Sequence, residues 1–301
     1  MISCTNTDFF DVGMQEGEEI LLVIHLLALL LTWSLASSWL QSASRLRRKI
    51  ILFLHWLSGL FFTSCQAVTM VMILNCWSTD TAKPIVYGLK FISMTSANLF
   101  ALSDLALTIR LAQIVEGLYK LQRVKVEDSK KLAGAAVFVA LIMSCSSAFC
   151  WREIGMSGGN YFVFNREHED WIRRSHTIVP TITGFIMAPV LFWILLYRWK
   201  ELRKCCETKI FKQYFMLTMV GATVYFYNFA TNLEQYDEVN HYKTRVITVK
   251  RALRYVHICL DSLVLLSSVE SVLAPHKIPS FSRHTTQSSQ RQVAPMAIMF
   301  A

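Results

Sequence analysis

The chain has 301 residues, of which 53% are hydrophobic and only 17% are charged, and its mean hydropathy is +0.38. Soluble globular domains carry about 25% charged and about 45–50% apolar residues, so this composition excludes an ordinary soluble protein. Eleven Gly, six Pro and eight Cys exclude a collagen-like chain and a disulfide-framed secreted scaffold. The composition indicates a membrane protein.

Seven apolar stretches follow one another along the chain, each long enough to cross a membrane as a helix. The hydrocarbon core of a bilayer is about 30 Å thick, which a helix of about 20 apolar residues spans. Because none of the stretches alternates polar and apolar residues, they do not fit a barrel of strands. We therefore predict an all-α membrane protein, a bundle of seven transmembrane helices at residues 20–40, 50–77, 85–115, 132–151, 177–197, 214–232 and 252–273.

The segments that connect these stretches fall into two groups by charge. Those after the first, third and fifth stretches are rich in Lys and Arg, as is the C-terminal tail, whereas residues 1–19 contain five acidic residues and no Lys or Arg. Basic loops stay in the cytoplasm, so we predict an extracellular N-terminus at residues 1–19, a transmembrane domain at residues 20–274 and a cytoplasmic tail at residues 275–301. The acidic start also argues against a cleaved signal peptide. The net charge of +9 is thus a signal of topology in the lipid bilayer, and no nucleic-acid motif accompanies it.

Few ionisable residues fall inside the seven stretches, and such residues are candidates for function because they are costly in a bilayer. They are His55, Asp104, Arg110, Arg254, His257, Asp261 and Glu270. At 100° per residue, polar residues share one face in each of three helices. They are Asn98, Asp104 and Thr108 in the third stretch, Thr218, Tyr225, Asn228 and Asn232 in the sixth, and Arg254, His257 and Asp261 in the seventh. These faces can surround a polar cavity or hydrogen-bond helix to helix, and the sequence leaves both interpretations open.

His257 and Asp261 are four residues apart, so their side chains can meet on one face of the seventh helix. As a functional pair they would bind a ligand amine or hold water, and as a structural pair they would neutralise each other. Arg110 lies near the cytoplasmic end of the third helix. It can contact a cytoplasmic partner there or extend its guanidinium to the lipid headgroups.

The cysteines suggest two modifications. Cys4, Cys76 and Cys150 lie at or beyond the predicted outer face, an oxidising compartment that allows a disulfide among them. Cys205 and Cys206 lie in the basic segment after the fifth helix, where palmitoylation and free thiols both fit. The sequence fixes neither the disulfide pairing nor the acylation.

The one enzyme-like motif in the sequence does not lie in the structural context that its chemistry needs. The string G-M-S-G-G at residues 155–159 matches G-x-S-x-G, but it follows the fourth helix in a polar outer segment that we predict as a turn, not a nucleophile elbow. The chain has no H-E-x-x-H, no Cys/His cluster with metal spacing and no P-loop. We expect no enzyme activity, no metal and no cofactor.

Seven helices with the N-terminus outside are the architecture of the G-protein-coupled receptors. Short sequence motifs narrow the choice of family within that class. The third helix has no D-R-Y and the seventh no N-P-x-x-Y, so the rhodopsin-like signatures are missing. The run D-S-L-V-L-L at residues 261–266 is similar to the H-S-x-x-L-I-L run of the bitter (type 2) taste receptors, with Asp261 in place of the His. Residues 195–204 resemble that family's S-L-W-K-H-x-x-K stretch, with Trp199 and Lys200 matching. The chain therefore resembles a bitter taste receptor or another divergent chemosensory family, although Gly59 replaces a family Arg and no outer segment carries N-x-S/T.

The resemblance implies a plasma-membrane receptor that binds a small organic ligand among its helices and activates a heterotrimeric G protein. The residues that would bind the ligand are Asn98, Asp104, Tyr225, Asn228, His257 and Asp261. The residues that would face the G protein are Arg110, Arg198, Trp199, Lys200 and Arg203.

Two other classes stay open. A small-solute transporter or channel subunit would use Asp104, Asp261 and Glu270 as proton or cation sites. A structural seven-helix protein without a ligand would show neither signalling nor transport.

Overall fold

The computed structural model describes residues 18–36, 50–75, 79–120, 127–157, 160–206, 209–234 and 240–273. Nearly all of these residues are helical. In chain order the elements are α1 (Glu18–Ser34), α2 (Ile50–Leu74), α3 (Thr79–Tyr119), α4 (Glu127–Ala148), β1 (Glu153–Ser157), β2 (Asn160–Phe164), α5 (Glu169–Tyr197), α6 (Trp199–Cys205), α7 (Lys209–Glu234) and α8 (Asn240–Leu273).

A helix covers most of each of the seven predicted stretches, and several helices extend beyond the apolar sequence. Helix α4 ends at Ala148, before the predicted residue 151, and the predicted ends at residues 37–40 and 76–77 lie outside the described residues. Helix α3 has 41 residues and is therefore about 60 Å long, twice the hydrocarbon thickness. Helix α5 begins at Glu169 rather than at residue 177, and the carboxylates of Glu169 and Asp170 in its first turn complement the positive end of the helix dipole. The polar first turns carry no hydropathy signal, so hydropathy alone placed these starts too late.

A two-stranded antiparallel hairpin follows α4 and departs from the all-α expectation. Strand β1 pairs with β2 from Glu153 opposite Phe164 to Ser157 opposite Asn160. Residues 155–157 of the G-x-S-x-G string are therefore strand and not turn, which corrects the prediction for that segment. Aromatic and β-branched residues in β2 favour a strand, and the Gly-Gly at 158–159, outside the described residues, is typical of a hairpin connection.

The long helices pack side by side, with α2 on α3, α5 on α7, α3 on α4 and α5, and α1 on α8. The largest apolar cluster joins α2, α3, α5, α6 and α7 through fully buried side chains. These include Leu52, Leu107, Leu111, Ile194, Leu202 and Leu217. This packing fixes the rotation of α2 and α3, and therefore determines which of their polar residues face the interior.

The bundle has an apolar exterior and a partly polar interior, the reverse of a soluble protein. Large apolar side chains project outward, with Leu30 68%, Phe138 65% and Phe192 64% exposed, whereas Asp104 and Ser144 have no exposed surface. Within the described residues, four helices are long and apolar enough to cross a membrane, namely α2, α3, α4 and α5. The apolar part of α1, Leu21–Ser34, is shorter. These features indicate a membrane-embedded helical protein, while the seven-span count and the orientation of the termini stay predictions.

Candidate functional site

Four ionisable side chains from three helices meet in the interior of the bundle. They are His55 of α2, Asp104 of α3, and His257 and Asp261 of α8. Each is at most 2% exposed. We call these four residues the His/Asp cluster.

His55 is the central member of the cluster. Its Nε2 lies 2.9 Å from Asp261 Oδ2, and its Nδ1 lies 2.9 Å from Ser103 Oγ and 3.5 Å from Asp104 Oδ1. The imidazole stacks on the Phe100 ring with centroids 4.2 Å apart. One ring therefore joins α2 to both α3 and α8.

His257 contacts both carboxylates from the opposite side. Its Nε2 lies 2.9 Å from Asp261 Oδ2 and 3.6 Å from Asp104 Oδ2, although neither approach has the geometry of a hydrogen bond. Its ring meets Phe100 and Tyr225 edge-on, with centroids 5.0 and 5.6 Å away. Aromatic rings of α3 and α7 thus flank His257 in the cluster.

Asp104 is fully buried, yet neither of its carboxylate oxygens has a hydrogen-bond partner. The Tyr225 hydroxyl of α7 faces it without forming a well-aligned bond. Gly221 of α7 lies directly against the carboxylate, since a Cβ there would be 3.1–3.3 Å from its atoms. The absence of a side chain at residue 221 lets α7 close over Asp104.

The ionisable groups of the cluster are two carboxylates and two imidazoles. Among the described residues, the ion pairs of Asp104 and Asp261 all lead to histidines. A buried carboxylate is stable in a low-dielectric interior only when a positive charge or several donors accompany it. The site can therefore hold protons, a cation or a positively charged group of a ligand.

The structure brings together four of the six predicted ligand-binding residues: Asp104, Tyr225, His257 and Asp261. Asn98 is also buried, but its Nδ2 donates to Ser144 Oγ of α4 at 3.5 Å, so it belongs to the α3–α4 contact. The side chain of Asn228 lies outside the described residues, as does that of Glu270. Whether any of these residues binds a ligand stays a prediction.

Sequence reasoning did not assign His55 and Ser103 to the site. His55 was noted only as an ionisable residue in an apolar helix, although Ser58, Gln66 and Thr69 share its face of α2 at helical spacing and mark that face as polar. Its partners Ser103 and Asp261 are 48 and 206 residues away. The three-helix packing, and not a local pattern, identifies it.

The basic residues predicted to face a G protein have different environments. Arg110 is buried and donates from Nη1 to Gln113 Oε1 at 3.2 Å. Arg198, between α5 and α6, donates from Nε to Glu116 Oε2 at 3.1 Å and lies 3.8 Å above the Tyr119 ring. Trp199, Lys200 and Arg203 are exposed and accessible to a partner.

The cysteine predictions fall largely on residues that the structure does not describe, which include Cys4, Cys76 and the side chain of Cys205. Cys150 lies at the C-terminal end of α4, with its Sγ 3.7 Å from the Ser146 carbonyl. Partial burial raises the pKa of the Cys206 thiol, while Lys212 opposes that shift. Both modifications stay predictions.

Comparison with known proteins leaves the family unassigned. No protein-family profile matches the chain, and a search of curated proteins finds no significant match.

Proposed function

We propose that the protein is a chemosensory G-protein-coupled receptor of the plasma membrane, most similar to the bitter taste receptors. A small organic ligand would bind within the helical bundle, and a heterotrimeric G protein would couple at the cytoplasmic face. The observation that carries this proposal is the His/Asp cluster, which connects α2, α3 and α8 at one buried point that α7 covers. A receptor of this kind needs an interior contact whose rearrangement moves several helices together.

The cluster supports a two-state switch because its contacts are few and interdependent. His55 donates to or accepts from groups on two other helices, so its rotation would change the α2–α3 and α2–α8 contacts together. A ligand that binds one packing of the bundle more tightly than the other shifts the population towards it.

The contacts of Arg198 support coupling at the other end of the bundle. Arg198 joins the end of α5 to Glu116 and Tyr119 at the end of α3, directly beside the exposed Trp199 and Lys200. Movement of α3 around Asp104 would be transmitted along a single continuous helix to this contact. A partner that binds the α6 segment would detect that movement.

The test is a ligand screen in cells that express the full chain with a promiscuous G protein, read as calcium release. For an identified ligand, Asp261→Ala should raise the half-maximal concentration at least about tenfold or abolish the response, because a hydrogen bond to a charged group contributes about 1.5–3 kcal/mol. His25→Gln is the matched control, since His25 is another buried histidine of the bundle and its Nε2 contacts the Thr63 carbonyl, away from the cluster.

Surface labelling must give equal amounts of the wild type and both variants. Dose–response curves that coincide for the wild type and Asp261→Ala would remove the cluster from the ligand site. A response lost equally in His25→Gln would show that the assay reports folding only.

A small-solute transporter or channel is the second candidate, and one observation favours it. Two histidines and two aspartates in contact inside a membrane domain are the residue types of proton relays. Recording solute-driven current in the same cells separates the two functions. Current without calcium release would replace the receptor proposal with the transporter or channel. If neither current nor calcium release is observed, the protein would be assigned a structural role.

A further inference from the structure

We propose that the core of the bundle binds one divalent transition-metal cation, of the chemical class of Zn²⁺, between His55, Asp104 and Asp261. This inference concerns the ion content of the protein and holds for a receptor and a transporter alike. It goes against the sequence-based expectation of no metal, since the three ligands come from three helices and leave no spacing motif.

The positions of the donor atoms fit such an ion. One nitrogen of His55 and one oxygen each of Asp104 and Asp261 all lie within 4.8 Å of one another. Zinc binds His nitrogen and carboxylate oxygen at about 2.0–2.2 Å, which places neighbouring tetrahedral donors about 3.3 Å apart. The donor pair His55 Nε2–Asp261 Oδ2, at 2.9 Å, is close to that separation.

The hydrogen bonds of His55 leave a lone pair where the ion would be. The Ser103 hydroxyl donates to the Phe100 carbonyl at 2.7 Å, and a carbonyl can only accept. With its single hydrogen on that carbonyl, Ser103 Oγ accepts from His55 Nδ1–H at 2.9 Å, which is one of the two His55 tautomers that these contacts allow. The neutral imidazole then directs the lone pair of Nε2 towards Asp261 Oδ2, 2.9 Å away. Two lone pairs at this distance repel each other unless a positive centre lies between them.

Among the described residues, four of the eight buried side-chain polar atoms without a hydrogen-bond partner belong to this cluster. They are both oxygens of Asp104, Oδ1 of Asp261 and Nε2 of His257. Asp104 and Asp261 together carry two negative charges, which one divalent cation balances while both histidines stay neutral. His257, in contact with both carboxylates, is the residue that positions them.

The chemistry of the donors selects the class of metal. Imidazole nitrogen favours Zn²⁺ and its neighbours in the first transition row, whereas Na⁺, Mg²⁺ and Ca²⁺ prefer sites made of oxygen alone. The competing occupants are protons, either one on Nε2 of a neutral His55 that donates to Asp261 or one on each histidine as imidazolium. Metal analysis distinguishes the metal ion from protons.

The experiment uses the purified full-length protein in detergent. Elemental analysis should give one zinc per chain, and Co²⁺ added after chelation should produce the visible absorption of a low-coordinate cobalt site. Asp104→Asn and His55→Gln should each lose the metal and the cobalt spectrum, while the control His25→Gln keeps both. Ser103→Ala should retain the stoichiometry and weaken Co²⁺ affinity by about 10- to 100-fold, as expected for a group that orients a ligand.

Each outcome decides the proposal. Wild-type protein that is folded by thermal melting, carries no metal and gives no cobalt spectrum would leave protons as the occupant and overturn it. Loss of the metal and of the cobalt spectrum in His25→Gln, to the same extent as in Asp104→Asn, would also overturn the proposal. If Asp104→Asn and His55→Gln do not fold, the graded effect of Ser103→Ala carries the test, and unchanged affinity there would contradict the assigned geometry. Ligand-evoked calcium release is independent of these measurements, so a metal-free protein that signals would overturn this inference alone.

Discussion

Asp104 is buried without a hydrogen-bond partner because Gly221 allows α7 to pack directly against its carboxylate. A Cβ at residue 221 would lie 3.1 Å from Asp104 Cγ, which is closer than ordinary van der Waals contact. Since Asp104 is enclosed by His55, His257 and Tyr225, it has little room to move away. The local geometry at Gly221 is therefore coupled to the contacts of the cluster.

Gly221→Ala is accordingly expected to lower the melting temperature of the purified protein. Overpacking of a well-packed interior costs about 1–3 kcal/mol, which outweighs the gain of alanine as a helix former. Gly88→Ala is the matched control, because Gly88 is also helical but a Cβ there would meet nothing within 4 Å. That control should melt at the same temperature as the wild type or slightly higher. Equal melting of the two variants would show that α7 does not press on Asp104.

At the level of single residues, the sequence predicts contacts only within one helix. The spacing of four between His257 and Asp261 predicts that they can meet, and the structure has them 2.9 Å apart. His55 could not be joined to them in the same way. Its contact requires knowing how α2 rotates and which helices neighbour it, and that depends on apolar packing around Leu52 and Trp56.

At the level of elements, helices α5 and α7 make a close backbone approach. A Cβ at Gly184 of α5 would collide with the backbone carbonyl of Tyr225 on α7. A backbone carbonyl cannot rotate out of the way as a side chain can, so one helix would have to shift. The approach also places the Tyr225 side chain beside His257.

Gly184→Ala is expected to destabilise the bundle more than Gly221→Ala does, because its contact is with backbone. It should also weaken Co²⁺ binding at the cluster through displacement of α7. Melting temperature and cobalt titration measure the two effects. Gly134→Ala in α4 is the control, since nothing lies within 4 Å of that position. A melting temperature for Gly184→Ala equal to that of Gly134→Ala would mean that α5 and α7 are not held this closely.

Hydropathy predicted the existence of the helices better than their ends or the hairpin. The start of α2 at Ile50 and the end of α5 at Tyr197 coincide with the predicted limits, since composition changes sharply there. Strands β1 and β2 were missed because each has only five residues and depends on pairing with the other. Tyr87 of α3 supports the hairpin base by donating to the Arg152 carbonyl at 2.7 Å, a contact across 65 residues that has no local signal.

At the level of the whole molecule, composition alone was sufficient for the membrane class. The folded structure agrees with this class, because large apolar side chains of α1, α4 and α5 are exposed on the surface that a bilayer would cover. Composition cannot order the helices around the bundle. The pairing of α1 with α8 and of α5 with α7 follows from shape and small residues such as Gly184, which hydropathy does not register.

Membrane orientation depends on charge, and it determines which face can meet a G protein. Seven spans would place the two termini on opposite sides, and the basic segments after the first, third and fifth predicted spans predict which side is cytoplasmic. With seven spans, an epitope tag before residue 18 should be labelled by antibody on intact cells, as should a tag within residues 235–239. Tags within residues 121–126 and after residue 301 should be labelled only after permeabilisation. Because helices α1, α7 and α8 are not among the four that length and composition alone assign to the membrane, the tag at 235–239 is the most informative. Labelling of that tag only after permeabilisation would mean that α7 does not cross, and Arg198, Trp199 and Lys200 would then no longer lie in a loop between two spans.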